Sequence, residues 1–208
     1  MSDAAASIAP TNQLYLTEAL QYPDEIDEFV KLVRGERCNS YLEIGSKFGG
    51  SLWRIGQVLE PNSKIVAVDL PHGTRKWSKT EPSLRGCADA LRALGHDVTL
   101  IWGSSQTVAV WKEVKKFAPF DLILIDADHR LEGLTYDWHN YSPLGSIVCL
   151  HDISWHRPPD WNPSYSRIDV PQLWEQLRTR YRSVEIKLDP SGQDNGIGIL
   201  FCGNVEGC

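Results

Sequence analysis

Short apolar runs alternate with amphipathic stripes along most of this chain. Tyr41–Ile44, Lys64–Asp69, Val98–Trp102, Asp121–Asp126 and Ser146–Leu150 read as strands. The interior of Asp121-Leu-Ile-Leu-Ile-Asp126 is apolar throughout, as in a parallel strand covered on both faces. Helical stripes fall between these runs. Asp24–Val33 puts Ile26, Phe29, Val30 and Val33 on one face, and Pro82–Leu94 does the same with Leu84, Cys87, Ala88, Leu91 and Leu94. Thr107–Phe117 turns Val110, Trp111, Val114 and Phe117 inward, and Leu131–Asn140 is also helical. Pro82 suits a first helical turn and Gly95 a helix end. A further helix opens at Asp169-Val-Pro171 with Asp169 as its cap. Strands near Ser183–Leu188 and Ile197–Cys202 close the chain.

Strands alternating with helices predict an α/β domain: a mostly parallel sheet with helices on both faces. Only Asp189–Gly196 separates the last two strands, which is too short for a crossover, so that pair should be antiparallel. We expect one domain over residues 13–208, preceded by a small, polar, flexible segment, Met1–Asn12. The longest irregular stretches are Pro71–Glu81 and Ile153–Ile168.

The stretch Tyr41-Leu-Glu43-Ile-Gly45-Ser46-Lys47-Phe48-Gly49-Gly50-Ser51 carries the most chemistry. It reads as a buried strand, a glycine-rich turn and a helix starting near Gly49. Glycines let backbone approach a ligand closely, and a helix N-terminus offers free N–H groups. The next strand ends in Asp69, about 20 residues on, where an acid can take two ribose hydroxyls. Dinucleotide folds favour G-x-G-x-x-G; the pattern here is E-x-G-x-x-x-G-G, with Glu43 leading into the loop.

This segment resembles motif I of the class I S-adenosylmethionine-dependent methyltransferases, and Asp69 resembles that family's ribose-binding acid. The family's sheet has strand order 3-2-1-4-5-7-6 in a Rossmann-like fold, which the predicted elements match. The resemblance implies S-adenosyl-L-methionine as cofactor, bound by Glu43, Gly45, Ser46, Lys47, Phe48, Gly49, Gly50, Ser51 and Asp69. It also implies Ser104, after the third strand, beside the adenine, and Asp126 after the fourth. A serine at position 104 also suits a helix cap.

A second set of polar residues follows the fourth and fifth strands: Asp126-Ala127-Asp128-His129 and His151-Asp152. Neighbouring parallel strands bring their carboxyl ends together, where open α/β sheets bind ligands. Two carboxylates and an imidazole suit a divalent cation. The run I-D-A-D-H, then Asp137-Trp138, Pro143-Leu-Gly145 and L-H-D is similar to small methyltransferases with I-D-G-D-H and H-D motifs. Those are related to metal-dependent O-methyltransferases of the cephalosporin-hydroxylase-like and macrolide-sugar branches. By position, Asp126 and Asp152 match the metal acids. His151 stands where some branches carry an acid, and Ile153 where catechol-type enzymes carry an amide. The implied metal set is Asp126, His151 and Asp152 with Mg²⁺ or Mn²⁺, with His151 favouring nitrogen-tolerant ions. Asp126 and His129 are the implied catalytic residues; His129 suits either a base or a cap of the next helix. The remaining histidines, His72, His96, His139 and His156, read as structural or surface residues. Trp155, Trp161 and Tyr165, among prolines, suit a cover for an acceptor ring or sugar as well as a stiff surface loop; Trp77 is alike.

Composition narrows the partners. Over 208 residues, 42% are hydrophobic and 23% charged, ordinary for a soluble chain. The net charge is −6 and the densest basic run is Arg178-Thr-Arg180-Tyr-Arg182, so nucleic acid is not expected. There is no membrane-spanning run and no signal-peptide pattern, and five scattered cysteines without C-x-x-C suit a cytoplasmic protein. The expected partner is a small-molecule hydroxyl acceptor (sugar, phenol or natural product); homo-oligomerisation stays open. The competing readings are a nicotinamide-dependent oxidoreductase, disfavoured by the glycine spacing and the lack of Tyr-x-x-x-Lys, and a non-catalytic S-adenosylmethionine-binding module. No DPPY-type motif for amino methylation is present.

Overall fold

A computed structural model describes residues 11–16, 21–71, 79–154, 168–188 and 195–203. Chain order runs α1 (Pro23–Glu36), β1 (Ser40–Ile44), α2 (Gly50–Gly56), β2 (Lys64–Asp69), α3 (Thr80–Ala93), β3 (Asp97–Trp102) and α4 (Val108–Lys115). It continues with β4 (Phe120–Ile125), α5 (Leu131–Tyr141), β5 (Gly145–His151), α6 (Val170–Leu177), β6 (Arg182–Ile186) and β7 (Ile197–Phe201). The sheet has the expected order, β3-β2-β1-β4-β5-β7-β6. Strands β1 to β5 pair in parallel, while β7 is antiparallel to both β5 and β6.

The alternation of side chains along each strand builds two cores. On one face, Tyr41, Ile65, Ala67, Leu122, Leu124 and Cys149 pack under α1, α2 and α3. On the other, Leu42, Val66, Ile123, Ile125, Val148 and Leu150 pack under α4, α5 and α6. Burial on both faces explains why β4 is apolar from Leu122 to Ile125.

The ends of several elements differ from the sequence reading for local reasons. Helix α1 takes Pro23 in its first turn and runs past Val33 to Glu36, stopping where Arg37 turns left-handed at φ 55°. A short 3₁₀ helix, Thr11–Leu16, begins inside the expected flexible segment, and Leu14 and Tyr15 are buried. Tyr15 meets Trp53 edge-on, and the Tyr15 N–H donates to Ser83 Oγ at 3.0 Å. Asp169 is the N-cap residue of α6, but its side chain makes no cap hydrogen bond there: its Oδ2 accepts from the Leu131 N–H at 3.0 Å, at the start of α5. Residues 1–10 and His72, Trp77, Trp155, His156, Trp161 and Tyr165 lie outside the described residues. Among the described residues no helix is long and apolar enough to cross a membrane, and Cys38, Cys87 and Cys149 are free thiols. Cys208 lies outside them.

One buried acid ties distant parts of the sheet together. Glu25 on α1 is fully buried; its Oε1 accepts from the Leu188 N–H at 2.8 Å and its Oε2 from the Gly196 N–H at 2.9 Å. The backbone beside Gly196 in turn accepts from the segment after β5, through Ile153 N–H to Gly196 O and Ser154 N–H to Asn195 O. Glu25→Ala takes the acceptor from the buried Gly196 N–H and the part-buried Leu188 N–H. It should destabilise the fold by about 2–4 kcal/mol, read as a lower denaturant midpoint with little change in slope.

Candidate metal and cofactor site

The register of the sheet aligns the strand ends that carry the chemistry. Ile44 pairs with Val68 and Ile125, and Ile125 with Leu150. Gly45, Asp69, Asp126 and Asp152 therefore emerge at one sheet edge. The ladder continues one step into the loops: Gly45 N–H donates to Val68 O at 2.9 Å, Asp126 N–H to Ile44 O at 2.8 Å, and Gly103 N–H to Asp69 O at 2.8 Å.

Gly45 cannot carry a side chain here. Its φ is +90°, and a Cβ would overlap the Asp126 carbonyl and lie 2.7 Å from Ala127 Cα. Gly49, at φ +88°, starts α2 and faces Cys87. Between them Lys47 is left-handed at φ 45°, and its N–H donates to Asp69 Oδ2. Asp69 Oδ1 accepts from the Leu70 N–H at 2.6 Å. Burial pushes the Asp69 carboxyl up, against the pull of these N–H groups.

Glu43 lies behind the loop rather than on its surface. Side-chain alternation puts it on the same face of β1 as Tyr41, beneath the start of α2. Its carboxylate is fully buried and accepts from Tyr41 Oη and, at 2.9 Å, from Ser51 Oγ. Burial pushes it up to about 7, against those hydrogen bonds. Ser46, Phe48, Gly50 and Ser51 are buried as well, which leaves Gly45 and Lys47 as the partly open parts of the loop. Ser104 follows β3, and its Oγ accepts from the Gln106 N–H at 3.3 Å. The cap of α4 is Thr107, whose Oγ1 accepts from the Val110 N–H.

The second constellation closes more tightly than the sequence implied. Asp126, His129, His151 and Asp152 each turn a ligand-type atom to a common point, all within 4.8 Å of one another. His129 Nε2 lies 3.1 Å from both Asp126 Oδ1 and Asp152 Oδ2. His151 Nδ1 lies 3.4 Å from Asp126 Oδ1 and 3.2 Å from Asp152 Oδ1. Asp152 itself sits at φ 63°, a left-handed conformation that is uncommon outside glycine. His129 does not cap α5, because Asp169 does.

Charge explains the packing. Burial disfavours each imidazolium, but the two carboxylates outweigh it, pushing His129 up to about 10 and His151 up to about 9. Burial also opposes ionisation of Asp126, yet the two histidines hold its carboxyl well below the usual range. Without another cation, two positive rings neutralise two acids. A divalent ion bound here would carry the same charge and replace the two ring protons, so the donor set fits one.

Gln21 joins this site from outside the segments singled out above. Its Nε2 donates to Asp126 Oδ2 at 3.1 Å across 105 positions. No motif or periodicity marks it. The other described histidines stay outside the site: His139 Nδ1 pairs with Thr135 O in its own helix, and His96 follows α3.

A family model described as a methyltransferase domain matches residues 42–153, which takes in the glycine loop and all four clustered residues. The chain belongs to this methyltransferase family. Solved structures repeat its fold. An O-methyltransferase of tomaymycin synthesis from Streptomyces achromogenes, in complex with S-adenosylmethionine, is 18% identical, with 88% of this chain and 81% of that one covered at a TM-score of 0.64. An O-methyltransferase from Bacillus cereus, in complex with S-adenosylhomocysteine, is 17% identical, with 96% and 94% covered at a TM-score of 0.64. No curated protein sequence matches this chain.

Glu43 gives this methyltransferase a measurable pH signature. Its folded pKa is raised from 4.5 to about 7, so its contribution to stability is full below 4.5 and is lost as pH rises through about 7. Glu43→Gln removes that loss. Its stability relative to wild type should rise between pH 5 and 8 by on the order of 2 kcal/mol, as read by urea denaturation across that range.

Proposed function

We propose that this methyltransferase moves a methyl group from S-adenosyl-L-methionine to a hydroxyl of a small molecule, with a divalent cation held by Asp126, His129, His151 and Asp152. The observation that carries the reading is the convergence of two carboxylates and two imidazoles beside Gly45 and Asp69, at the carboxyl edge of the sheet.

In this reading the half-open loop at Gly45 and Lys47 cradles the amino-acid end of the cofactor, and Asp69 accepts its ribose hydroxyls after releasing the Lys47 N–H. Ser104 lies towards the adenine. The chemistry is an in-line displacement: a C–O bond forms, the S–C bond breaks, and the hydroxyl proton leaves. A divalent cation bound in the cluster lowers the pKa of the acceptor hydroxyl and orients it. His129 serves better as a ligand than as a base. Lying between two acids, it holds its proton to about pH 10 in the metal-free protein and takes none near neutrality. Two nitrogen donors also favour Mn²⁺ or Fe²⁺ over Mg²⁺.

Two measurements test this. Asp69→Ala should weaken S-adenosylmethionine binding by about 1.5–3 kcal/mol per hydrogen bond lost to the charged group. Calorimetry giving wild-type affinity in the folded variant would remove Asp69 from the cofactor site. Mn²⁺ binding should displace the two imidazole protons, so its affinity should rise steeply from pH 6 to 8. Titrations in buffers of differing ionisation enthalpy should show about two protons released per ion. Turnover that is unchanged in excess chelator, with no Mn²⁺ uptake, would defeat the metal while leaving methyl transfer standing.

A further inference from the structure

We propose that Gln21 is a positioning residue for the cation site: its amide fixes which oxygen of Asp126 faces the metal. The inference rests on the metal reading above and concerns a residue that precedes the family-matched segment.

Asp126 divides its two oxygens. Oδ1 is the atom both imidazoles approach, at 3.1 and 3.4 Å. Oδ2 is turned away and accepts from Gln21 Nε2 at 3.1 Å. Without that donor, the carboxylate is free to rotate and offer either oxygen, or both, to an ion. With it, Asp126 presents Oδ1 alone. Carboxylates that ligate metals are commonly held by such outer hydrogen bonds, and their loss typically weakens metal binding 10- to 100-fold.

The amide is poorly explained as a stabilising residue. Gln21 is 7% exposed, and its Oε1 is buried with no hydrogen-bond partner. An unsatisfied buried acceptor is costly, and an apolar side chain of similar length would avoid that cost. What an apolar side chain lacks is the N–H aimed at Asp126.

The backbone delivers the amide rigidly. Tyr22 is extended (φ −57°, ψ 131°), as the residue before a proline must be, and Pro23 opens α1. The N–H groups of Glu25 and Ile26 donate to Tyr22 O at 3.0 and 3.1 Å. Glu25 anchors the same turn to Leu188 and Gly196. Gln21 therefore stands at the end of a fixed post.

The test compares metal-free wild type with Gln21→Met, which keeps length and removes the donor, and with Gln21→Asn, which keeps the amide but shortens its reach. Each is titrated with Mn²⁺ alone by calorimetry and melted without metal. We expect Mn²⁺ affinity to fall 10- to 100-fold in both variants, while the melting temperature of Gln21→Met stays level or rises. A purely structural residue would give the reverse, a lower melting temperature with unchanged Mn²⁺ affinity. Wild-type affinity in either folded variant overturns the inference and leaves the metal reading intact. Failure of wild type itself to bind Mn²⁺ overturns both.

Discussion

The backbone of Gly45 lies against the carbonyl of Asp126, and the chemistry at this sheet edge depends on that approach. The space between them has no room for a Cβ. It exists because β1 and β4 are neighbours in exact parallel register to their last residues, Ile44 and Ile125. Their opposite ends are pinned as well: Asp121 Oδ2 accepts from the Asn39 and Ser40 N–H groups and from Ser40 Oγ. With register fixed at the start, the glycine loop and the first acid arrive side by side at the finish. The glycine turn and the carboxylate that faces the two histidines are then a single unit.

Electrostatics sets the second constraint. Asp126 and Asp152 are partly buried, and ionised acids there need positive neighbours. The rings of His129 and His151 supply them. Both rings have raised pKa values, so the stability they provide is full below pH 6.5 and is lost as pH rises through about 9 to 10. The two rings thus offset the charge of the two acids. A divalent ion bound here would exchange two protons for one metal at almost constant charge, which would make its binding sensitive to pH. Glu43 is the contrasting case. Its partners Tyr41 and Ser51 are neutral hydroxyls, so burial wins and its carboxyl rises to about 7.

Much of the architecture was legible because the strands are continuous apolar runs and the helices carry clear stripes. The convergence of Asp69, Asp126, His151 and Asp152 was legible because each stands at or just beyond a strand end, where topology alone brings them together. The contacts of His129 were not legible. Its ring turns back between two acids, and the fold of the Ala127–Arg130 segment decides that, not its position after a strand. The carboxylate of Asp169 was illegible for a related reason. Local rules place Asp169 at the cap of the helix that follows it, as it is, but its side chain reaches the neighbouring helix at Leu131. Gln21 was beyond such rules, since its partner is 105 positions away and a lone glutamine has no pattern.

Gln21 and Glu25 also show why the first helix matters to a site it does not line with a motif. They sit one turn apart around the start of α1, and each ends on a different side of the cluster. Gln21 reaches Asp126 directly. Glu25 holds Gly196, whose carbonyl accepts from Ile153, the residue after Asp152. The two acids that face the histidines are therefore braced from the same post by independent routes. Asp152 needs such bracing more, because its left-handed backbone would otherwise relax and carry its carboxylate away from both rings. A shift of α1 relative to the sheet would move both acids together. That links the spacing of the four-residue cluster to the packing of Ile26, Phe29 and Val33 beneath the helix.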